Sequence, residues 1–410
     1  MEEIEKMSTN FATKAIHVGS EPDPITGAVV PPISLATTYA QAQLGQLAGV
    51  NDPNSFSMGY EYQRTGNPTR GAFERAVAAV ENGKYGIAFS SGLGATTSIM
   101  MTLSTGDHVI CIDDVYGGTQ RMFRRVMEGQ FGIKFTFMDL SDPDAIVAAI
   151  RPETKMLWME TPTNPTMKVT DVAQVAKAVK VTANRPDVFI VTDNTFATPY
   201  LQNPLDLGAD IVMHSVTKYI GGHSDVVMGV TAMNDQELFN KLKFQQNSAG
   251  ATPAPFDCYM ALRGLKTLHV RMEAAMKNAM AIATFLEDNA QFVEKTIYPG
   301  LASHPNNAIV KKQMRGGGAM VTFFIKGGIE EAGTFLKNLK VFTLAESLGA
   351  VESLAECPAV MTHASVPIEE RQKLGISDNL IRLSVGIEHV DDLLADLKQA
   401  LTVAVHPKKK

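Results

Sequence analysis

Cysteine is scarce in this 410-residue sequence, which contains only Cys111, Cys258 and Cys357, all far apart. Their spacing offers neither a Cys-x-x-Cys metal or redox pair nor a disulfide framework, so we expect three reduced thiols and no metal site. The sequence also lacks a run of about 20 apolar residues that could span a bilayer. Its first ten residues are acidic and lack the apolar core of a signal peptide. These absences predict a cytosolic protein without a membrane partner.

An excess of basic residues is missing as well. The 37 Lys and Arg residues stand against 43 Asp and Glu residues, and the net charge of −6 provides no basic field for a nucleic-acid backbone. We therefore expect no nucleic-acid partner. The terminal PKKK at residues 407–410 is interpreted as a solvated end rather than as a docking tail.

Short apolar runs alternate with helical patterns through the first two thirds of the chain. The runs are GIAF (86–89), HVICI (108–112), IKFTF (133–137), KMLWM (155–159), VFIVT (188–192), IVMH (211–214) and VVMGV (226–230). Apolar strands separated by helices predict an α/β fold with a mostly parallel seven-stranded sheet that helices cover on both faces. Ligands of such sheets bind beyond the carboxyl ends of the strands.

The two ends of the chain follow different patterns. Residues 1–64 are predicted to form an arm laid over another surface, because the chain from about Asn10 to Arg64 is rich in Pro, Gly, Ser, Thr and Asn without sustained periodicity. Residues 65–263 form the predicted large domain. Residues 264–410 begin with a long helical pattern and contain the strand-like MVTFFIK (320–326), which predicts a smaller α+β domain.

Polar residues follow two of the apolar runs directly. Ser215, Thr217 and Lys218 come after the run at 211–214. A lysine is usually a surface residue, but one held at a strand end can form a Schiff base, and the hydroxyls can bind a phosphate. Asp193 closes the run at 188–192; it is more often a helix cap, and otherwise a buried carboxylate that awaits a cation such as a pyridinium nitrogen.

Three further segments fit the same chemistry. Residues 90–96, SSGLGAT, form either a plain strand-to-helix turn or a phosphate cradle at a helix N-terminus. Tyr116 is either a packing residue or a ring that stacks on a planar cofactor and moves protons. Asn164, in the turn ETPTNP, is either structural or a donor to a carboxylate. Their occurrence in one order at successive strand ends is far more specific than any one of them.

The combination resembles the Cys/Met-metabolism branch of the fold-type I pyridoxal phosphate enzymes over about residues 11–401. The motifs that carry the resemblance are FATKAIHVGS, AVVPPISL, YQRTGNPTR, DDVYGGT, ETPTNPT, VTDNTF, SVTKYIGGHSDVVMG, RGLKTLHVRM, FTLAESLGAVESLAE and LIRLSVG. The resemblance implies a pyridoxal 5′-phosphate cofactor, covalently bound to Lys218 and with its ring nitrogen paired to Asp193. It also implies that Tyr116 stacks on the ring. The other implied cofactor residues are Gly92, Leu93, Thr195, Ser215 and Thr217.

The same resemblance implies an assembly and a substrate. Tyr62 and Arg64 of the arm are expected to reach the phosphate in a neighbouring subunit, within a homotetramer built from catalytic dimers. The substrate is expected to be a small amino acid. The resemblance implies that Arg382 binds the α-carboxylate of the substrate, assisted by Asn164 and Ser347. It also implies that Glu346 lies at the substrate entrance.

The implied activity is a carbon–sulfur lyase reaction, the γ-elimination of cystathionine to cysteine, 2-oxobutanoate and ammonia, with hydrogen sulfide as a side product. Tyr116 is expected to protonate the departing thiolate, and Glu346 to meet the distal ammonium. Gly118 disfavours methionine as the main substrate, because methionine-directed relatives commonly have cysteine there. The alternatives are γ-replacement on an activated homoserine and, more remotely, a non-catalytic scaffold.

Overall fold

The structure is a computed structural model that describes residues 10–364 and 366–405. The acidic N-terminal segment up to residue 9 and the PKKK tail lie outside the described residues. The strands are β1 Tyr85–Phe89, β2 His108–Ile112, β3 Lys134–Met138, β4 Thr154–Glu160, β5 Phe189–Asp193, β6 Ile211–Ser215, β7 Gly229–Met233, β8 Val293–Ile297, β9 Met320–Ile325, β10 Thr343–Leu344, β11 Leu354–Glu356 and β12 Leu380–Ser384.

The helices occupy most of the chain between these strands. They are α1 Phe11–His17, α2 Pro68–Val80, α3 Gly92–Met100, α4 Gly117–Met122, α5 Pro143–Ala149, α6 Val172–Lys177, α7 Thr198–Leu201, α8 Gln236–Ala249, α9 Pro255–Lys266, α10 Leu268–Asp288, α11 Asn307–Gln313, α12 Ile329–Asn338, α13 Ile368–Leu374 and α14 Val390–Val405. Wide π-helical turns extend α4 and α6, at Phe123–Glu128 and Ala178–Thr182. In the described part of the chain, no helix is both long and apolar enough to cross a membrane.

The first sheet has seven strands in the order β1-β7-β6-β5-β4-β2-β3. The pairs β2–β3, β2–β4 and β5–β6 are parallel, whereas β7 runs antiparallel to both β1 and β6. The predicted mostly parallel seven-stranded sheet is therefore confirmed. The last strand begins at Gly229 rather than at residue 226. At that glycine a Cβ atom would lie 2.3 Å from the carbonyl oxygen of Ser91, so only glycine allows this close approach.

The chain divides into two compact units. One runs to Ser104 and adds Phe189–Thr195 and Asn203–His269. Its helix α2 is buried over almost its whole length. The helix begins where the Asn67 side chain accepts hydrogen bonds from the backbone N–H groups of Thr69 and Arg70, with Pro68 at the first helical position. These local signals fix the start of the helix that packs against β1.

The other unit comprises Thr105–Val188, Phe196–Gln202 and the chain from Val270. It contains the second sheet, a separate five-stranded one in the order β10-β11-β12-β9-β8. One hydrophobic core joins this sheet to helices α12 and α14 through Phe323, Phe335, Leu383 and Leu397. The smaller C-terminal α+β domain is thus confirmed, while the boundaries at residues 64 and 263 stay predictions.

The described part of the N-terminal arm has little regular structure, as expected. It contains α1, which sequence reasoning missed, a 3₁₀ turn at Pro53–Ser55 and isolated bridges such as Thr38–Tyr62. Large apolar side chains of the arm are exposed, among them Ile25, Leu35 and Leu44.

Candidate cofactor and substrate site

The first part of the candidate site is the turn between β1 and α3. The Ser91 hydroxyl caps the helix by accepting from the backbone N–H of Gly94 at 2.9 Å. A Cβ atom at Gly92 would lie 3.1–3.2 Å from the Cβ and Oγ atoms of Ser215. The helix N-terminus, which continues into Leu93, therefore lies beside the Ser215 hydroxyl at the end of β6. Free backbone N–H groups next to a hydroxyl form a suitable cradle for a phosphate.

The turn after β6 carries the predicted lysine. The backbone N–H of Lys218 donates to the carbonyl of Ser215 at 3.2 Å, and the carbonyl of Lys218 accepts from Gly222 at 2.8 Å. The Thr217 hydroxyl interacts with the backbone of Met228, accepting from its N–H at 3.1 Å. Lys218 is half-buried. The sequence SVTK therefore forms a tight turn that fixes the backbone of Lys218 directly after Thr217 and three residues after Ser215.

Asp193 ends β5 beside this turn. Its Oδ1 atom accepts from the N–H and the hydroxyl of Thr195, at 3.0 and 2.5 Å, and that hydroxyl accepts from the N–H of Ser215 at 2.9 Å. The carboxyl group is only 7% exposed. Burial raises its pKa, and the two Thr195 hydrogen bonds oppose that rise without cancelling it. A cation placed against this carboxylate would therefore stabilise its charged form.

These strand ends bring together Gly92, Leu93, Asp193, Thr195, Ser215, Thr217 and Lys218 in one unit. A phosphate cradle, a lysine and a buried carboxylate are the protein groups that pyridoxal phosphate requires, so the residues fit that cofactor. Tyr62 and Arg64 lie in the arm instead. There the Arg64 guanidinium lies 5.7 Å from the centre of the Tyr62 ring and donates to the carbonyl of Asn247.

A second group of predicted residues forms around Arg382 in the other unit. Its Nη1 atom donates to Oδ1 of Asn164 at 2.9 Å, and Nη2 donates to the backbone carbonyl of Ser347 at 2.8 Å. The side chain is 2% exposed. Its Nε atom has no hydrogen-bond partner among the described residues. A buried guanidinium with an unused N–H is suited to bind a carboxylate.

Sequence reasoning missed Glu356, the counterion of Arg382. Its Oε1 atom lies 3.0 Å from Nη1 of Arg382 and accepts from the hydroxyl of Thr362 at 2.8 Å. The two residues are direct partners in the antiparallel pairing of β11 with β12. Both side chains are almost completely buried, at 1% and 2% exposure. The pairing register that joins them has no local signal in the sequence.

Ser347 contacts Arg382 through its backbone rather than through its hydroxyl. Its φ angle is 105°, in the left-handed region that residues other than glycine rarely adopt. Such a conformation costs on the order of 1–3 kcal/mol and persists where surrounding contacts enforce it. The hydrogen bond from Arg382 to the Ser347 carbonyl is one such contact.

Tyr116 lies at the start of α4, where its backbone N–H donates to Oε2 of Glu160 at 2.9 Å. Burial raises the pKa of its phenol, Glu346 adds to that rise, and Arg121 and Arg382 oppose it. Tyr116 therefore shares one electrostatic environment with the predicted substrate residues Glu346 and Arg382. A Cβ atom at Gly118 would lie 2.5 Å from the Tyr116 ring, so a side chain at position 118 would move that ring.

Comparisons with known proteins show which family the whole chain resembles. Residues 12–402 match the family of Cys/Met metabolism PLP-dependent enzymes. The chain is 59% identical to cystathionine gamma-lyase of Dictyostelium discoideum over 95% of this chain and 97% of that protein. It is 57% identical to the human protein of the same name, over 97% and 95% of the two chains. The crystal structure of cystathionine gamma-lyase from yeast superimposes with a TM-score of 0.90 at 50% identity, over 97% and 99%.

Proposed function

Because the chain belongs to the Cys/Met metabolism enzymes that depend on pyridoxal phosphate, we propose that it cleaves cystathionine at the γ-carbon to give cysteine, 2-oxobutanoate and ammonia. The observation that carries this proposal is the Nε atom of Arg382, which is buried and has no hydrogen-bond partner among the described residues. Arg382 lies in the same unit as Tyr116 and Glu346, and all three belong to one electrostatic environment. The names and the near-complete coverage of the similar proteins support it.

The cofactor residues are assigned from the strand ends. Pyridoxal phosphate supplies an electron sink that makes the α-proton of a bound amino acid removable. Lys218 would hold the cofactor aldehyde and move the proton, and Asp193 would keep the ring nitrogen charged. The backbone at Gly92 and Leu93, with the hydroxyls of Ser215 and Thr217, would hold the phosphate. Thr195 orients Asp193 through its two hydrogen bonds.

Each substrate residue is assigned to one charged or reacting group of the substrate. Arg382 binds the α-carboxylate through Nε and Nη2, and Asn164 and the Ser347 carbonyl keep the guanidinium in place. Tyr116, with its raised pKa, stays protonated near neutral pH and donates its proton to the departing thiolate. Glu346 meets the distal ammonium of cystathionine. The same residues admit cysteine or homocysteine, from which hydrogen sulfide would form.

We assign the N-terminal arm to the contact between subunits. Its exposed Ile25, Leu35 and Leu44 need a covering surface, and a second copy of this chain supplies one. Tyr62 and Arg64 then reach the phosphate in the neighbouring subunit, within a homotetramer. Sedimentation velocity tests the oligomeric state. The cytosolic location expected from the sequence stays a prediction.

The proposal is tested with purified protein and cystathionine as the sole substrate. We expect a yellow protein that releases 2-oxobutanoate, and a colourless, inactive Lys218→Ala variant. Lys266→Ala is the control, because this lysine lies in the same unit at the end of α9 and is not assigned to the site. Retention of colour and full activity in Lys218→Ala would contradict the assignment of the lysine.

One competing activity has a structural basis. A cystathionine gamma synthase from Xanthomonas oryzae pv. oryzae superimposes with a TM-score of 0.90 at 41% identity, over 97% of this chain and 99% of that one. A synthase would release little 2-oxobutanoate from cystathionine alone and would consume O-acylhomoserine with cysteine. The two substrates, assayed side by side, separate the activities.

A further inference from the structure

Two buried side chains alternate with the cofactor residues at the ends of β5 and β6. Asn194 lies between Asp193 and Thr195 in the sequence, and His214 directly precedes Ser215. Asn194 and His214 are 0% and 1% exposed. Because successive residues of a strand point to opposite faces of the sheet, His214 leaves β6 on the face opposite to that of Ser215.

Both side chains bind the same carboxylate, that of Glu81, which follows the last residue of α2. Oε1 of Glu81 accepts from Nδ2 of Asn194 at 3.0 Å and from Nε2 of His214 in a short ion-pair contact. Glu81 is 0% exposed. One carboxylate oxygen thus joins the ends of two neighbouring strands, and we call Glu81, Asn194 and His214 the Glu81 network.

The charge of this network requires an explanation. A fully buried carboxylate is costly unless a cation pairs with it, and the basic group within ion-pair distance of Glu81 is His214. Oε2 of Glu81 and Nδ1 of His214 have no hydrogen-bond partner within the described ranges. His214 is therefore the side chain that can supply a positive charge beside Glu81. The positive charge also acts on Asp193, since His214 lowers the pKa of that carboxyl against the effect of burial.

We propose that the Glu81 network positions the strand ends that carry Asp193, Thr195 and Ser215 and, through the charge of His214, keeps Asp193 ionised opposite the cofactor ring nitrogen. Charges would then alternate from Glu81 through His214 and Asp193 to the ring. These are positioning residues, since the contacts that define the network join them to one another. The inference rests on the assignment of Asp193 made above.

The test uses holoenzyme reconstituted with pyridoxal phosphate labelled with ¹⁵N in the ring. The ¹⁵N chemical shift reports directly whether the ring nitrogen is protonated. In His214→Gln we expect the signal to move toward the unprotonated value and the cofactor dissociation constant to rise about tenfold, as for one pKa unit. Glu81→Gln keeps one acceptor oxygen for Asn194 and His214 but removes the negative charge beside His214, so the same changes are expected.

His108→Gln is the matched control. His108 is a buried strand histidine whose partners are the hydroxyls of Thr154 and Thr136, and it lies in the other unit. We expect its ¹⁵N signal and cofactor affinity to equal those of the parent. If His214→Gln and Glu81→Gln also match the parent, the network has no positioning role.

Asp193→Asn separates this inference from the proposed function. If Asp193→Asn moves the ¹⁵N signal and both network variants leave it unchanged, only the Glu81 network is wrong. If Asp193→Asn leaves the signal unchanged, the assignment of Asp193 itself is wrong. If His214→Gln does not fold, Glu81→Gln decides alone, because an amide replaces the carboxylate without loss of volume.

Discussion

Replacing Glu356 by glutamine should separate the stability of this protein from its affinity for amino acids. Glu356 is the counterion of the buried Arg382, with 3.0 Å between Oε1 and Nη1. Glutamine has nearly the same shape and can still accept from Arg382 and Thr362. The change therefore removes one negative charge and leaves the guanidinium buried without a counterion.

The size of the effect follows from this geometry. At 3.0 Å and an effective dielectric constant of about 20, the attraction in the pair is about 5 kcal/mol. Removing one partner of a buried pair destabilises a protein by about 3–5 kcal/mol. Because the amide keeps both hydrogen bonds, we expect the free energy of unfolding to fall by about 3 kcal/mol. A substrate carboxylate on Nε and Nη2 then no longer competes with Glu356 for the positive charge of Arg382, so its binding should strengthen by about 1 kcal/mol, or roughly fivefold.

Urea unfolding and calorimetric titration with glycine measure the two quantities. Asp396→Asn is the control, since the Asp396 carboxylate is 4% exposed and accepts from the backbone N–H groups of Lys340, Val341 and Phe342. This control should lose stability while its affinity for glycine stays unchanged. If Glu356→Gln loses stability and binds glycine no more tightly, Glu356 does not compete with the substrate carboxylate and the reasoning fails.

Three further predictions concern single side chains. Tyr116→Phe should lower kcat for cystathionine on the order of 10²-fold while the protein stays yellow, because phenylalanine has no proton to give to the departing thiolate; an unchanged kcat in steady-state assays contradicts this role. Glu346→Ser should raise KM for cystathionine about fivefold and leave KM for homocysteine unchanged, since only cystathionine has a distal ammonium. Burial lowers the pKa of Lys243 from 10.5 to about 8, against the attraction of Glu74. The unfolded chain then binds more protons between these values, so the free energy of unfolding should rise by about 3 kcal/mol from pH 8 to 10.5, and Lys243→Met should abolish the rise in urea unfolding.

The sheet and the strand-end residues could be predicted from the sequence because both depend on local patterns. Apolar runs marked six strands closely, and the predicted strand-end residues follow their runs within a few positions, as Asp193 and Lys218 do. The seventh strand begins three residues after the start of its apolar run, at Gly229. The reason is the close approach of Ser91 to Gly229, a tertiary contact that the sequence pattern does not reveal. The helix α1 was missed because its seven residues lie in a segment whose composition is typical of loops.

The side chains that hold the site residues in place could not be predicted. His214 lies inside the run IVMH and was interpreted as part of a core strand, although its partner is a carboxylate 133 residues away. Glu356 belongs to a short strand, and its pairing with Arg382 depends on the register of β11 against β12. The use of the Ser347 carbonyl, rather than its hydroxyl, depends on a positive φ angle that the residue type disfavours.

The two carboxylates that could not be predicted, Glu81 and Glu356, have several features in common. Glu81 and Glu356 lie in different units, each is at most 1% exposed, and each pairs with a basic side chain next to or within a predicted site group. Replacing a buried ion pair by apolar residues is often neutral or stabilising, so stability alone does not account for two such pairs. Each carboxylate does what an apolar side chain cannot do, since it fixes the orientation of a cation and sets the charge felt by the neighbouring site. We therefore expect a buried acid to position each of the two groups, Glu81 for the cofactor group and Glu356 for the substrate-carboxylate group.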